Sequence, residues 1–215
     1  MWRPDCLYAW AVAELGLFPL GVVLLPTERI PLHIFEDRYR ELIGECIDLE
    51  REFGLLFADD DGLREVGCRA AVLEVLERFD DGRMNIVVEG RERFRVVRHT
   101  SGRSFSTAEV ERVDDVDATV APESAARALS SFRKLVEIVE AEVELPDPLT
   151  PQLSFELAGR VELEPDAKQE LLELRSEPSR LERVADLLEG AAATVALTEE
   201  ARRRASSNGK VTPPD

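Results

Sequence analysis

The period of the apolar residues changes once along this chain, and that change limits what it can fold into. Up to about residue 113 apolar residues recur at every second position. Met84, Ile86 and Val88 alternate with Arg83, Asn85 and Glu89, the signature of a half-buried strand. After about residue 122 they recur every three or four positions, as in Leu129, Phe132, Leu135, Val136, Val139 and Val143, the stripe of an amphipathic helix. Strands followed by helices predict an α+β fold, with a junction near residues 114–122.

Within the first part, Ala71, Leu73, Val75 and Phe79 fall on one face of a second strand. Asp80, Asp81 and Gly82 separate it from the Met84 strand. A glycine there tolerates the positive φ of a tight hairpin turn. Residues 53–58, 94–98 and 105–113 add further strands. Several short strands with close turns predict a small barrel or sandwich-like sheet. Pro26 and Pro31 cannot donate to a ladder and belong at strand ends or edges. One helix, residues 37–50, interrupts the strands. Its Tyr39, Leu42, Ile43, Cys46 and Ile47 keep the i, i+3, i+4, i+7, i+8 spacing of a single buried stripe, and it is expected to close one end of the barrel.

In the second part, Pro146 and Pro148 break the helical pattern. A further helix is predicted over residues 151–161. The next opens at Pro165, a residue suited to a first helical position. The last opens at Ser179, which has capping-box spacing to Glu182. The resulting division is an N-terminal lead-in (1–13), a β-barrel subdomain (14–116), a helical subdomain (117–198) and a flexible tail (199–215).

With 44% hydrophobic and 33% charged residues over 215 positions the chain reads as globular. No apolar run approaches the roughly 20 residues that span a bilayer, so no membrane partner is expected. A net charge of −17 repels phosphate backbones and argues against nucleic acid. The three cysteines, Cys6, Cys46 and Cys68, include no CxxC pair. Reduced thiols in a cytoplasmic protein are the simplest expectation. Arg3 precedes an apolar patch from Leu7 to Val12, but Asp5 lies where a signal peptide would be positive.

The residues that could carry chemistry lack the partners it requires. Gly209 and Lys210 lack the upstream glycine of a phosphate-binding loop and are followed by Val211. Lys134 and Lys168 lie on predicted helices and read as solvated. His33 and His99 have no spaced partners for a metal. Asp59, Asp60, Asp61 and Gly62 lack the alternate spacing and final glutamate of a calcium loop. Glu140, Glu142 and Glu144 read as a solvated helix end. No catalytic, cofactor-binding or metal-binding residue is therefore assigned.

The block from Leu17 to Ile43 resembles the opening of the Lon substrate-binding domain, the N-terminal module of ATP-dependent Lon proteases. Residues 65–71 and 81–95 are similar to the segments that form that family's central hairpin. Residues 168–174 and 179–181 resemble the close of its helical part. The resemblance implies a PUA-like β pseudo-barrel with one embedded helix, followed by a C-terminal helical bundle. It also implies a non-catalytic, free-standing module, without the ATPase and serine–lysine peptidase of Lon. Such a module would recognise unfolded or peptide segments of other proteins, or act as an adaptor beside a protease or chaperone in protein quality control.

Two sets of residues are candidates for partner binding. Phe18, Leu32 and Phe35, with Leu20 and Ile34, are more apolar than a short strand pair usually exposes. Any left at the surface together would form a patch for unfolded segments. Arg91, Arg93 and Arg95 would share one face of an extended strand. Because related PUA domains bind RNA, that face carries the alternative reading of an RNA-binding protein. The simpler reading is an exposed sheet face balanced by neighbouring glutamates.

Overall fold

The computed structural model describes residues 13–208. The lead-in of residues 1–12, with Cys6, and residues 209–215 of the expected tail lie outside them. The described residues form one large sheet and five helices, and their contacts gather into two units. One takes in the described residues through Val116 together with Ala158–Arg175; the other takes in Asp117–Leu157 and the chain from Ser176 onward.

The first unit holds the strands β1 (Ala13–Leu20), β2 (Arg29–Ile34), β3 (Phe53–Asp59), β4 (Gly62–Leu63), β5 (Val66–Arg78), β6 (Met84–Thr100) and β7 (Thr107–Arg112). They pair in the order β1-β7-β6-β5-β3-β4, and β2 pairs with β6 off this path. β1 also pairs with β3, in parallel, from Leu17 against Gly54 to Leu20 against Phe57. That pairing closes a circuit of five strands, β1-β7-β6-β5-β3. Leu15, Leu17, Leu56, Phe94, Ala108 and Val110 form a core cluster contributed by the circuit. Phe94 is fully buried, and two glycines make room for its ring. A Cβ at Gly54 would lie 2.6 Å from the ring tip, and one at Gly67 would lie 2.9 Å from it and 2.4 Å from the Leu55 carbonyl oxygen.

The Asp80–Gly82 turn joins β5 to β6, with Gly82 at φ +86°. Helix α1 (Asp37–Asp48) buries Tyr39, Leu42, Ile43 and Cys46, the stripe that the spacing predicts. It ends two residues before the sequence suggests. Glu50 takes a left-handed φ of 51°, and the Arg51 N–H donates to the Cys46 carbonyl, a Schellman closure. Residues 158–175 return to this unit and carry α4 (Pro165–Glu173). Lys168 pairs with Glu28, and the Gln169 amide donates to the Val66 carbonyl at 3.2 Å.

The second unit holds α2 (Pro122–Ile138), α3 (Leu153–Ala158, within this unit up to Leu157) and α5 (Glu177–Asn208). α2 packs on α5. Ala125, Ala128, Phe132 and Leu135 are buried on α2, and Leu181, Val184, Ala185, Leu188 and Ala192 on α5. The stripe expected to run on to Val143 stops early. Glu140 turns left-handed at φ 53°, the Ala141 N–H closes onto the Val136 carbonyl, and Val139 and Val143 are exposed. α5 also starts earlier than the sequence suggests. Its cap is Ser176, whose hydroxyl accepts the Ser179 N–H at 3.4 Å, with Pro178 in the first turn, and not Ser179. It continues as helix through Asn208, where the composition suggests a tail from Glu199. Alanine and arginine, both strong helix formers, fill positions 201–205.

Two glycines should respond oppositely to alanine. Gly67→Ala forces a Cβ against backbone and is expected to destabilise by about 1–3 kcal/mol, as overpacking does. Gly44, inside α1 with nothing within 4 Å of its Cβ position, should gain about 0.4–1 kcal/mol as alanine. Urea denaturation of the two variants checks both signs.

Candidate polypeptide-binding surface

The arginine cluster does not form a basic stripe. β6 keeps its alternation through Gly90 and then slips. Ala70 of β5 pairs with Gly90, whereas Cys68 pairs with Arg93, so three steps on β6 face two on β5. This bulge re-aims the side chains beyond it. Arg93 and Phe94, adjacent in sequence, are both buried. Arg93 donates to the carbonyls of Leu172 (2.9 Å) and Leu174 (2.7 Å) and pairs with Asp115 at 2.5 Å. Arg91 and Arg95 remain exposed and face Glu89 (2.6 Å) and Glu65 (4.0 Å). Arg98 and Arg103 pair with Glu109 and Glu45. The expectation that Arg91, Arg93 and Arg95 project together is thus corrected. One of them is a buried structural cation, and the others sit beside carboxylates.

The apolar candidates also separate. Phe18 is core, its ring 4.1 Å from that of Tyr39 and 6.1 Å from that of Phe53. Leu32 is half-buried, paired in register with Ile86. Phe35 is 59% exposed, placed between the end of β2 and the start of α1. Its ring stacks on His33 at 5.9 Å, and His33 meets the edge of Phe79 at 6.2 Å. His33 shares a 2.6 Å hydrogen bond with Asn85, whose amide donates to Glu77 at 3.1 Å. A row of polar contacts across β2, β6 and β5 thereby holds an aromatic group at the surface.

A second exposed apolar feature lies on β5 itself. β3 covers one edge of this strand only as far as Ala70, opposite Phe53. From there to Arg78, among the described residues, only β6 pairs with it. Two bulges interrupt that remaining ladder. Val72 and Glu74 face the consecutive residues Val88 and Val87, and Val75 and Glu77 face Ile86 and Asn85. Leu73 and Leu76 are the extra residues, and both are exposed. The strict alternation that puts Leu73 on a buried face therefore fails. A mark of this was present in the sequence, because Val72-Leu73 and Val75-Leu76 are adjacent apolar pairs that no period of 2 accommodates.

A groove of about 600 Å³ opens between this part of β5 and the last turn of α1. Cys46, Ile47, Glu50, Arg51, Leu73, Glu74, Val75 and Arg91 are among the residues lining it. Burial pushes the Cys46 thiol up to about 11, aided by Glu45 and opposed by Arg51, so the groove presents a neutral thiol. Cys68, fully buried, is raised further by the same cause. Among the described residues no three His, Cys, Asp or Glu side chains are placed to hold a metal ion. No described helix is long and apolar enough to cross a membrane.

The described surface thus holds a groove, a β5 edge that no other described strand pairs, and one exposed phenylalanine. The chain belongs to the family of the ATP-dependent protease La (LON) substrate-binding domain, whose model matches residues 14–190. It is 26% identical to the Lon protease of Paraburkholderia phytofirmans over 84% of its own length and 24% of that protein. It is 25% identical to the Lon protease of Rhizobium meliloti over 89% of its length and 26% of that protein. The chain thus spans about a quarter of the length of the curated relatives it matches. Among solved structures it resembles the Lon N-terminal domain protein from Xanthomonas campestris, with a TM-score of 0.63 and 27% identity, over 80% of this chain and 96% of that one. The N-terminal domain of the Mycobacterium avium complex Lon protease shares the fold, with a TM-score of 0.62 and 22% identity, over 82% of this chain and 98% of that one.

The separate fates of the arginines can be measured. Arg93→Gln leaves Asp115 buried beside a neutral side chain and is expected to cost about 3–5 kcal/mol, as breaking a buried pair does. Arg95→Gln, at an exposed site, should change stability by about 0–1 kcal/mol. Equal losses in urea denaturation would contradict this placement.

Proposed function

We propose that this chain is a binding module for exposed polypeptide segments, acting in protein quality control beside a protease or chaperone. The observation that carries the reading is the exposed apolar set of Phe35, just beyond β2, and Leu73 and Leu76 on β5, in a family described by substrate binding. Exposed apolar side chains mark an interaction site when they form a contiguous patch, and in this reading a bound segment spans them. The closed circuit of strands supports reading the first unit as a PUA-like pseudo-barrel. Binding is the whole of the activity in this reading, and no bond is made or broken. Because each arginine of the 91–103 segment has a carboxylate beside it, no observation favours the RNA-binding alternative.

The test is binding to a permanently unfolded protein, reduced and carboxamidomethylated lactalbumin, whose blocked cysteines carry no added charge, followed by fluorescence polarisation. Saturable binding is expected, and Phe35→Ser should weaken it several-fold to about tenfold, the range of an aromatic contact residue. Native lactalbumin should not compete. Failure to bind the unfolded protein, or equal competition by the native one, would overturn the reading.

A further inference from the structure

We propose that the open edge of β5 takes up an extended polypeptide segment as an added strand. Apolar residues of that segment would lie over Leu73 and Val75, with a basic residue beside Glu50 and Glu74. The inference rests on the polypeptide-binding reading and specifies its site and mode. Among the described residues no strand neighbours one side of β5 beyond Ala70. The main-chain N–H and C=O groups on that side are satisfied best by another extended backbone. From Ala71 to Arg78 the open stretch is seven steps, about 23 Å at the rise of a strand, and the two bulges shorten it. This suits a guest of about five residues. The 600 Å³ groove supplies room beside that edge. Its walls differ in kind, with Ile47 on α1 apolar and Glu50 at the turn after the helix charged.

Charge selects the guest. Arg91 is paired with Glu89, and Glu52, which also lines the groove, faces Arg69 at 3.7 Å. Glu50 and Glu74 have no ion pair among the described residues, and Arg51 is the one groove cation in the same state. The balance is acidic, within a chain of net charge −17. A second copy of this chain is a poor guest. In the antiparallel register centred between Val75 and Leu76, Glu74 of one copy would lie against Glu77 of the other, and like charges across a strand pair destabilise it. A segment of alternating apolar residues with lysine or arginine at its ends meets both requirements.

The probe is a fluorescent octapeptide of alternating valine and threonine closed by a lysine at each end, with a counterpart N-methylated on alternate residues. Binding to the full chain is read by polarisation, and amide hydrogen exchange is followed with and without peptide. The expected result is saturable binding, loss of at least tenfold on N-methylation, and slowed exchange within residues 71–76. Leu73→Asp and Glu74→Lys should each weaken binding at least fivefold. Arg98→Gln, on an exposed pair elsewhere, should leave it unchanged, and thermal melts of all three variants should match the parent. Equal affinity for the N-methylated peptide, or parental affinity in both β5 variants, overturns the added-strand inference. So does binding of unfolded lactalbumin without binding of the octapeptide, which leaves the broader function standing. Failure of both probes removes both. Concentration-dependent dimerisation that itself protects residues 71–76 would assign the edge to a second copy and overturn the proposal.

Discussion

One buried guanidinium organises the first unit. Arg93 sits in a strand whose flanking residue Phe94 fills the core, yet it is itself only 4% exposed. A cation in that position is tolerable only with a full set of acceptors. It receives Asp115 from just beyond β7 and two carbonyls from the C-terminal end of α4. That helix end carries partial negative charge, so a cation is favoured there twice, as hydrogen-bond donor and as counter-charge. None of these acceptors is near Arg93 in sequence; Leu172 and Leu174 lie 79 and 81 residues away. The unit must therefore include a segment the chain reaches only after building α2 and α3. Its discontinuity follows from the need to satisfy one charge.

β5 meets two opposed demands along one strand. Its first residues, Val66, Cys68 and Ala70, are core, and Cys68 and Ala70 are paired on both edges. Its later residues are paired on one edge and carry two bulges. An unprotected edge invites uncontrolled pairing, and bulges and charges are the usual restraints. Here the bulges also change what the edge displays. Each leaves one leucine out of register and toward solvent, so the surface gains apolar contacts without the core losing any. The glutamates between and beyond those leucines keep identical edges apart.

Much of this was legible in the sequence wherever one interaction dominates locally. The period switch, the hairpin at Gly82 and the α1 stripe depend on neighbours within about ten residues, and the structure has them where the pattern puts them. Failures arise where a distant partner or a slip in register decides. Period 2 assigns Arg91, Arg93 and Arg95 to one face because it presumes an unbroken ladder, and the bulge between Gly90 and Arg93 breaks it. Period 3.6 carries the α2 stripe past its end because apolar spacing does not see the left-handed turn at Glu140. The Ser179–Glu182 spacing fits a capping box, but Ser176 precedes Pro178, and proline in the first turn favours the earlier start. Of the candidate surface, Phe35 was visible as an excess of apolar residues. Period 2 places Leu73 inward with Ala71 and Val75, and the adjacent pairs Val72-Leu73 and Val75-Leu76 mark a slip without fixing where the register changes.

The charge of the protein acts at two ranges that must be kept apart. At short range the arginines from 91 to 103 are answered by carboxylates, so they add specificity to the sheet and little field outside it. At long range the uncompensated excess is negative, and a net charge of −17 raises the local concentration of cationic segments and repels polyanions. Exposed segments of unfolded chains differ from folded surfaces in offering both free backbone groups and apolar side chains at once. In the proposed function, an acidic module with an open, bulged edge and leucines beside it would discriminate on these two features together. Native proteins, whose backbone groups are already paired, satisfy at most one of them. Selectivity for the unfolded state then requires no recognition of a particular sequence, only an edge that a folded partner has no strand to fill.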